Sequence, residues 1–254
     1  MKEYFLIIKD KLKHPWIMTV ILVAVIPLCP EYAAPVLASC SLITAHLDAR
    51  ARGSGFRVGN LGKLILIYIV YIAIGVLYST NILSTLATLG MWIVMFMAYI
   101  ALTTVLQSRK CLDTTFFVVT LVAGAVGLIG CVQYMLRVSL GLKIPTEVWS
   151  FLDEPVFNLL NIKMKEFENG YRVSSTFNNP NIFAEFMVMA LPFAAYYSIY
   201  GKRKKLHLLC RFCLMAAAGG IAFSYSRGSY TGLLAVALVF GIANIKNINI
   251  EGEA

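Results

Sequence analysis

Two short polar stretches, each carrying an arginine, interrupt a chain that is otherwise strongly apolar. The first runs from Arg172 to Asn181 and reads RVSSTFNNPN, and the second runs from Ser224 to Ser229 and reads SYSRGS. The guanidinium of an arginine can bind phosphate oxygens through two parallel hydrogen bonds. Arg172 and Arg227 are therefore the candidate anion-binding side chains, and a diphosphate is the ligand that such a pair would suit.

Each stretch opens a predicted helix, and helix starts attract anions. Asn179 is a good N-cap, Pro180 suits the first helical position, and Ser226 can cap the later helix. The free N–H groups and the positive dipole end at such starts favour a bound anion. The candidate substrate-binding residues are Asn179, Asn181, Ser226 and Gly228. The alternative is that these are ordinary helix caps, with arginines that only reach toward the membrane surface.

Glu185 is the acidic residue that falls within a predicted membrane span. It follows Asn181 by four residues, so the two lie on one face of a helix. An ionisable residue inside a membrane is expected to be functional. Glu185 is therefore a candidate catalytic residue, which would position Arg172 or Arg227 or orient an acceptor hydroxyl. A structural ion pair inside the bundle is the alternative.

The composition requires a membrane environment for these residues. Of the 254 residues 59% are hydrophobic and 14% are charged, with a mean hydropathy of +0.75. Soluble proteins carry about a quarter charged residues. The net charge of +9 comes from lysines and arginines clustered between apolar runs, as in cytoplasmic loops of membrane proteins. We therefore predict a lipid bilayer as partner and no nucleic acid.

The apolar runs predict an all-α fold: a polytopic transmembrane helix bundle forming one domain over residues 1–254. The Cys-Pro-Glu sequence at 29–31 separates the two short first spans, which are predicted to form a tight hairpin. A long external loop over 137–179 contains a stretch at 147–160 that predicts an amphipathic surface helix, with a loosely ordered loop as the alternative. About eight spans are predicted, at 16–30, 32–47, 63–80, 83–106, 114–136, 180–200, 206–224 and 229–246.

The distribution of lysine and arginine predicts the orientation. If the N-terminus is cytoplasmic, most of the 22 basic residues fall in inner segments. The basic residues left for the outer segments are Arg137, Lys143, Lys163, Lys165, Arg172 and Arg227. This bias follows the positive-inside rule and indicates a multi-pass protein of the cytoplasmic membrane, with both polar stretches facing outward.

The two polar stretches together resemble the O-antigen ligase and O-antigen polymerase family of bacterial membrane proteins. The likeness rests on Arg-Val-Ser-Ser-Thr-Phe-Asn-Asn-Pro-Asn-Ile-Phe-Ala at 172–184, followed in order by Ser-Tyr-Ser-Arg-Gly-Ser at 224–229. It covers the whole chain in topology and residues 172–232 in motif. Ligases and polymerases of the family are not distinguished by these motifs.

The resemblance implies a membrane glycosyltransferase that needs no metal or cofactor. Such proteins take a glycan from a polyprenyl diphosphate at the outer face of the membrane and join it to a hydroxyl of a glycan or lipid acceptor. By that likeness Arg172 and Arg227 would hold the diphosphate leaving group, where fixed cations stabilise developing negative charge.

One departure from the family pattern concerns histidine. The family is thought to use a histidine in a large external loop, whereas His14, His46 and His207 fall at inner ends of predicted spans. We therefore expect the sequence to correspond to the N-terminal part of the family architecture, incomplete at its C-terminus. A transporter or flippase, or a non-catalytic membrane partner in cell-envelope polysaccharide assembly, is the alternative function.

Overall fold

The computed structural model describes residues 15–141, 172–200 and 204–251, and every regular element within them is helical. The helices occupy the predicted segments, so the all-helical fold class is confirmed. The predicted surface helix at 147–160 lies outside the described residues. In chain order the α-helices are α1 (Pro15–Val25), α2 (Ala34–Ala51), α3 (Asn60–Gly75), α4 (Ile82–Val105), α5 (Arg109–Ser139), α6 (Pro180–Tyr200), α7 (Lys204–Ser224) and α8 (Arg227–Glu251).

Within the described residues, five helices are long and apolar enough to cross a membrane, judged by length and composition. They support a multi-pass membrane protein, while the count of eight spans stays a prediction. The 11 residues of α1 extend only about 16 Å, short of a hydrocarbon core of about 30 Å. The five are Asn60–Tyr78, Ile82–Val105, Arg109–Val138, Pro180–Tyr200 and Leu206–Ser224.

The largest difference in helix bounds concerns α5. Its 31 residues make it about 46 Å long, so it exceeds the membrane core at one or both ends. The predicted span at 114–136 is only its apolar part, because hydropathy does not mark a helix that continues into water. The predicted loop at 137–179 therefore begins later, and Arg137 lies in the last turn of α5.

The chain divides into two compact units, Met1–Val118 and Val119–Ala254, and the division falls within α5. In the first unit α1 packs on α2, and the Thr19 and Thr44 hydroxyl oxygens lie 2.8 Å apart. This contact confirms the predicted hairpin. A buried cluster fixes these helices against α4, and its members are Val20, Ala45, Ala101 and Val105.

In the second unit small residues allow the residues of α5 after 118 to contact α7 closely. A Cβ atom added at Gly127 would lie 2.5 Å from the Ala216 carbonyl oxygen, so the two main chains touch. Phe183 of α6 is fully buried. Its Cζ atom would lie 2.8 Å from a Cβ atom added at Gly130 or at Gly220, so the ring needs glycine at both positions. Close approach through glycine is how membrane helices gain packing energy. This packing fixes the first turn of α6, where the candidate site begins.

Candidate functional site

The site is built on a non-helical segment, residues 172–179, that precedes α6. Its middle is inaccessible to solvent, with Val173, Ser174, Ser175 and Thr176 all buried. Ser175 has φ of +56°, a left-handed conformation that is costly for a residue with a side chain. A buried polar segment of this kind requires hydrogen-bond partners from neighbouring elements.

Gln133 of α5 supplies those partners for Ser175. The Ser175 N–H donates to Gln133 Oε1 at 3.0 Å, and Gln133 Nε2 donates to the Ser175 carbonyl oxygen at 3.4 Å. The Ser175 hydroxyl donates to the Val126 carbonyl oxygen at 2.7 Å. The Val173 N–H donates to the Phe223 carbonyl oxygen at 3.3 Å. The segment is thus fixed on one side by α5 and on the other by the end of α7.

This anchoring places the half-buried Arg172 guanidinium between two helix termini. Its Nε donates to the Ser224 carbonyl oxygen at 2.8 Å, and its Nη2 donates to Asn181 Oδ1 at 2.6 Å. Arg137 Nη1 in turn donates to the Arg172 carbonyl oxygen at 2.9 Å. Arg172 therefore joins the first turn of α6 to the last residue of α7.

The start of α6 satisfies most of its own backbone donors. Pro180 is the first helical residue and has no N–H, and the Asn181 N–H donates to Asn179 Oδ1 at 2.8 Å. The Phe183 N–H donates to the Asn179 carbonyl oxygen at 3.0 Å. The predicted N-cap and first-turn proline are both confirmed. Self-capping leaves this helix start with few donors for a ligand.

The start of α8 is different. Ser226 lies directly before Arg227, the first helical residue, and the Tyr230 N–H donates to the Ser226 carbonyl oxygen at 3.2 Å. The Ser226 hydroxyl accepts from the Ser229 hydroxyl at 3.1 Å. The N–H groups of Arg227, Gly228 and Ser229 precede that first helical bond and have no carbonyl partner within the helix.

Space and charge at the start of α8 are available to a ligand. Arg227 is exposed and has no hydrogen bond or ion pair to any residue that the structure describes. A Cβ atom added at Gly228 would meet nothing within 4 Å. An exposed guanidinium next to free N–H groups can bind phosphate oxygens.

The starts of α6 and α8 lie at the same end of the second unit. Arg172 links Asn181 to Ser224, and further along a Cβ atom added at Gly232 would lie 3.3 Å from Val188 Cγ1. Val188 lies about 10 Å along α6 from Asn181, and Gly232 lies about 8 Å along α8 from Arg227. The two helices therefore run in parallel, as the predicted orientation requires, and their N-termini adjoin.

Glu185 does not take the positioning role expected of it. It is exposed, and it has no hydrogen-bond or ion-pair partner in residues 15–141, 172–200 and 204–251. Asn181, one turn earlier on the same helix, holds Arg172 instead. The other expectation, that Glu185 orients an acceptor hydroxyl, stays a prediction.

Three residues near the site were not among the predicted site residues. Arg137 belongs to neither motif, yet it holds the Arg172 main chain. Gln133 is buried and anchors Ser175, and an amide inside an apolar run is a signal that could have revealed it. Asn178 has a buried Oδ1 without a hydrogen-bond partner among the described residues. A buried acceptor of that kind can bind a hydroxyl or a water molecule.

Aromatic residues lie at the end of α7, on either side of Ser224 in the chain. Tyr134 stacks on Phe223 with ring centroids 4.0 Å apart, and its hydroxyl lies 3.1 Å from that of Tyr225. Tyr225 is exposed and has φ of +49° between α7 and α8. Strained residues of this kind often occur at functional sites.

No family model, curated protein or solved structure matches this chain. In the part of the chain that the structure describes, no group of three histidine, cysteine, aspartate or glutamate residues could hold a metal ion. The function must therefore be argued from the residues and their geometry.

Proposed function

We propose that this chain is a membrane glycosyltransferase-type protein of the O-antigen ligase kind, or the donor-binding part of one. It would transfer or polymerise a glycan from a polyprenyl-diphosphate donor onto a glycan or lipid acceptor, at the outer face of a bacterial cytoplasmic membrane. The bond between the glycan and the diphosphate breaks, a bond to the acceptor oxygen forms, and the acceptor hydroxyl loses its proton to a base. The departing diphosphate needs fixed positive charge.

The observation that carries the proposal is the open start of α8. Arg227 is exposed and unpaired among the described residues, and the neighbouring Gly228 has open space around it. The diphosphate of the donor would bind the Arg227 guanidinium together with the free N–H groups of the first helical turn. The polyprenyl tail of the donor would lie along the apolar surface of the helices.

Arg172 would contribute in a different way. Two of its nitrogen atoms already donate to Asn181 and Ser224, so it joins the first turn of α6 to the end of α7, just before α8 begins. Its remaining N–H groups can still reach a ligand, because a guanidinium carries five donors. Arg172 would thus fix the site geometry and add positive charge, while Arg227 would supply the main ligand contact.

The test measures the affinity of the purified protein in nanodiscs for a polyprenyl diphosphate. Arg227→Lys keeps the charge but loses the planar fork. The loss of a charge-assisted contact of about 1.5–3 kcal/mol should weaken binding about 10- to 150-fold. Arg211→Lys is the matched control, because Arg211 is exposed on α7 and has no partner among the described residues.

Gly228→Val supplies a second variant that probes backbone contact rather than charge. The new side chain would enter open space in the free protein but would stand where a bound phosphate approaches the N–H groups. Binding should therefore fall while the thermal transition is retained. Equal affinities for wild type, Arg227→Lys and Gly228→Val would refute a diphosphate site at the start of α8.

A non-catalytic, donor-binding partner is the second candidate, favoured by the position of His207. This histidine lies near the start of α7, about 26 Å along that helix from Ser224. At that distance His207 is not placed to take a proton from an acceptor beside Arg227. Diphosphate binding without glycan transfer would favour this candidate, and movement of the donor across a liposome membrane would favour a transporter or flippase.

A further inference from the structure

In the described part of the first unit, residues 15–118, the basic residues are confined to one end of the helices. Within residues 15–118 every lysine and arginine falls at positions 50–63 or 109–110. All six residues are exposed, and the five other than Arg52, which pairs with Asp48, are here called the basic rim: Arg50, Arg57, Lys63, Arg109 and Lys110. No lysine or arginine occurs in the segments 26–33 and 76–81, which connect the helices at their other ends. The rim is therefore a charged surface at a single end of the unit.

Hydrogen bonds hold the two parts of the rim at that end. Arg52 Nη2 donates to the Thr104 carbonyl oxygen at 2.9 Å, and the Arg57 N–H donates to Thr104 Oγ1 at 3.2 Å. The Thr103 hydroxyl donates to the Arg57 carbonyl oxygen at 2.9 Å. The segment after α2 is thus fixed on the last turn of α4. Arg109 begins α5 shortly after that turn, so both groups of cations lie together.

Among the described residues, three rim side chains have no acidic partner. Asp48 is engaged by Arg52, whose Nη2 lies 2.6 Å from Asp48 Oδ2. Asp113 is the other acidic residue near this end, in the second turn of α5. The side chains of Arg50, Arg57 and Lys63 have no hydrogen bond or ion pair to any described residue. Their charge is therefore available to an external anion.

Apolar side chains alternate with these cations. Phe56 is 44% exposed, Val58 38% and Leu61 58%, and all three lie between Arg50 and Lys63 in the chain. The Phe56 ring packs against the His46 ring with centroids 5.3 Å apart, which fixes its position. Exposed apolar groups beside cations suit a membrane interface, where acyl chains and phosphates lie within a few ångströms of each other.

We propose that the basic rim is a binding site for acidic phospholipid headgroups in the membrane leaflet that it faces. The headgroup phosphate would bind the free guanidinium groups of Arg50 and Arg57 and the ammonium group of Lys63. Phe56, Val58 and Leu61 would contact the upper part of the acyl chains. The rim would thus fix the depth of the first unit in the bilayer and give it a preference for acidic lipid, independently of any glycan chemistry in the second unit.

The experiment measures lipid binding by the full chain in detergent. Phosphatidylglycerol or phosphatidylcholine is added to the purified protein, and the lipids bound per chain are counted by native mass spectrometry. Each basic residue near an acidic membrane strengthens binding about fivefold. The variant Arg50→Gln, Arg57→Gln, Lys63→Gln should therefore bind phosphatidylglycerol about 100-fold less tightly than wild type and phosphatidylcholine equally well. Salt should weaken the preference, because these exposed charges are screened.

Two controls keep the result interpretable. Arg211→Gln removes one exposed arginine of the second unit and should leave phosphatidylglycerol binding unchanged, whereas Arg57→Gln should weaken it. The triple variant should keep its thermal transition in phosphatidylcholine nanodiscs, since the three side chains have no partner among the described residues. Equal binding of the two lipids by wild type, or unchanged phosphatidylglycerol binding by the triple variant, would overturn the proposal. Displacement of phosphatidylglycerol by equimolar inorganic phosphate would also overturn the proposal, because it would show that the rim binds a soluble anion rather than a lipid.

Discussion

Replacement of Gln133 tests whether the polar segment before α6 depends on α5. Gln133→Met keeps an unbranched side chain of similar length but removes both polar atoms. The Ser175 N–H would then lose its 3.0 Å bond and the Ser175 carbonyl oxygen its 3.4 Å bond. Ser175 is fully buried, so water cannot replace these partners without opening the segment.

The magnitude follows from those two lost bonds. A buried backbone group without a partner costs about 1–3 kcal/mol, and the longer bond belongs at the low end of that range. The variant no longer buries a polar amide, which offsets part of the loss. We expect a net destabilisation of about 2–4 kcal/mol, which corresponds to a fall of about 4–16 °C in the thermal transition for a chain of this size.

The assay is thermal unfolding of the purified protein in detergent, followed by circular dichroism. Val132→Met is the matched control, since Val132 is the preceding residue and is exposed. Affinity for polyprenyl diphosphate is the second readout. It should fall with Gln133→Met, because Ser175 and Arg172 belong to the same anchored segment. Equal transition temperatures for the two variants would show that α5 does not hold the segment through Gln133.

Four further outcomes are expected. Gly127→Ala should destabilise the fold by about 1–3 kcal/mol because its Cβ would clash with the main chain of α7. The control Gly90→Ala places its Cβ in open space, so its unfolding midpoint should stay at the wild-type value. Tyr225→Gly should be more stable than Tyr225→Ala by about 1 kcal/mol, because φ of +49° suits glycine; equal midpoints would contradict this. Lys204→Cys, in a background without native cysteines, should resist an impermeant label added from outside, and labelling there would refute the predicted orientation. The purified chain, given lipid-linked glycan and acceptor, should show no turnover because no outward-facing histidine is predicted; product would direct attention to Glu185 as the base.

The fold was predictable where apolar runs mark helices. The run from 180 to 200 coincides with α6, because Asn179 and Pro180 also mark its start. The ends of α5 were not predictable, because its polar first turn and Arg137 lie beyond the apolar run that hydropathy detects. Hydropathy reports which residues can lie in lipid, and a helix can continue past that boundary without any change in its backbone hydrogen bonding.

The cap at the start of α6 was predictable from the sequence, but the partners of the site's side chains were not. Capping depends on neighbours in the chain, so Asn179 could be assigned from its sequence context. The partners of Arg172 are a side chain nearby in sequence and the carbonyl group of Ser224 on another helix. A carbonyl acceptor leaves no signature in sequence, since every residue has one. Glu185 was a conspicuous candidate to position Arg172 because its charge is visible in the sequence, whereas the geometry selects Asn181 as the acceptor.

The contacts also explain why two arginines in similar motifs would have unequal roles. Arg172 donates in two directions, to Asn181 and to Ser224, and its own carbonyl group is held by Arg137. A lysine at this position could not hold both acceptors in fixed directions, because its ammonium group is a point charge on a flexible stem. Loss of Arg172 would therefore free the start of α6 from the end of α7 and disturb any ligand site there. Arg227 has no such constraint in the described structure, so its loss would remove a ligand contact and leave the scaffold intact. An arginine that is already restrained, next to one that is free, preorganises the site while leaving a guanidinium available for phosphate.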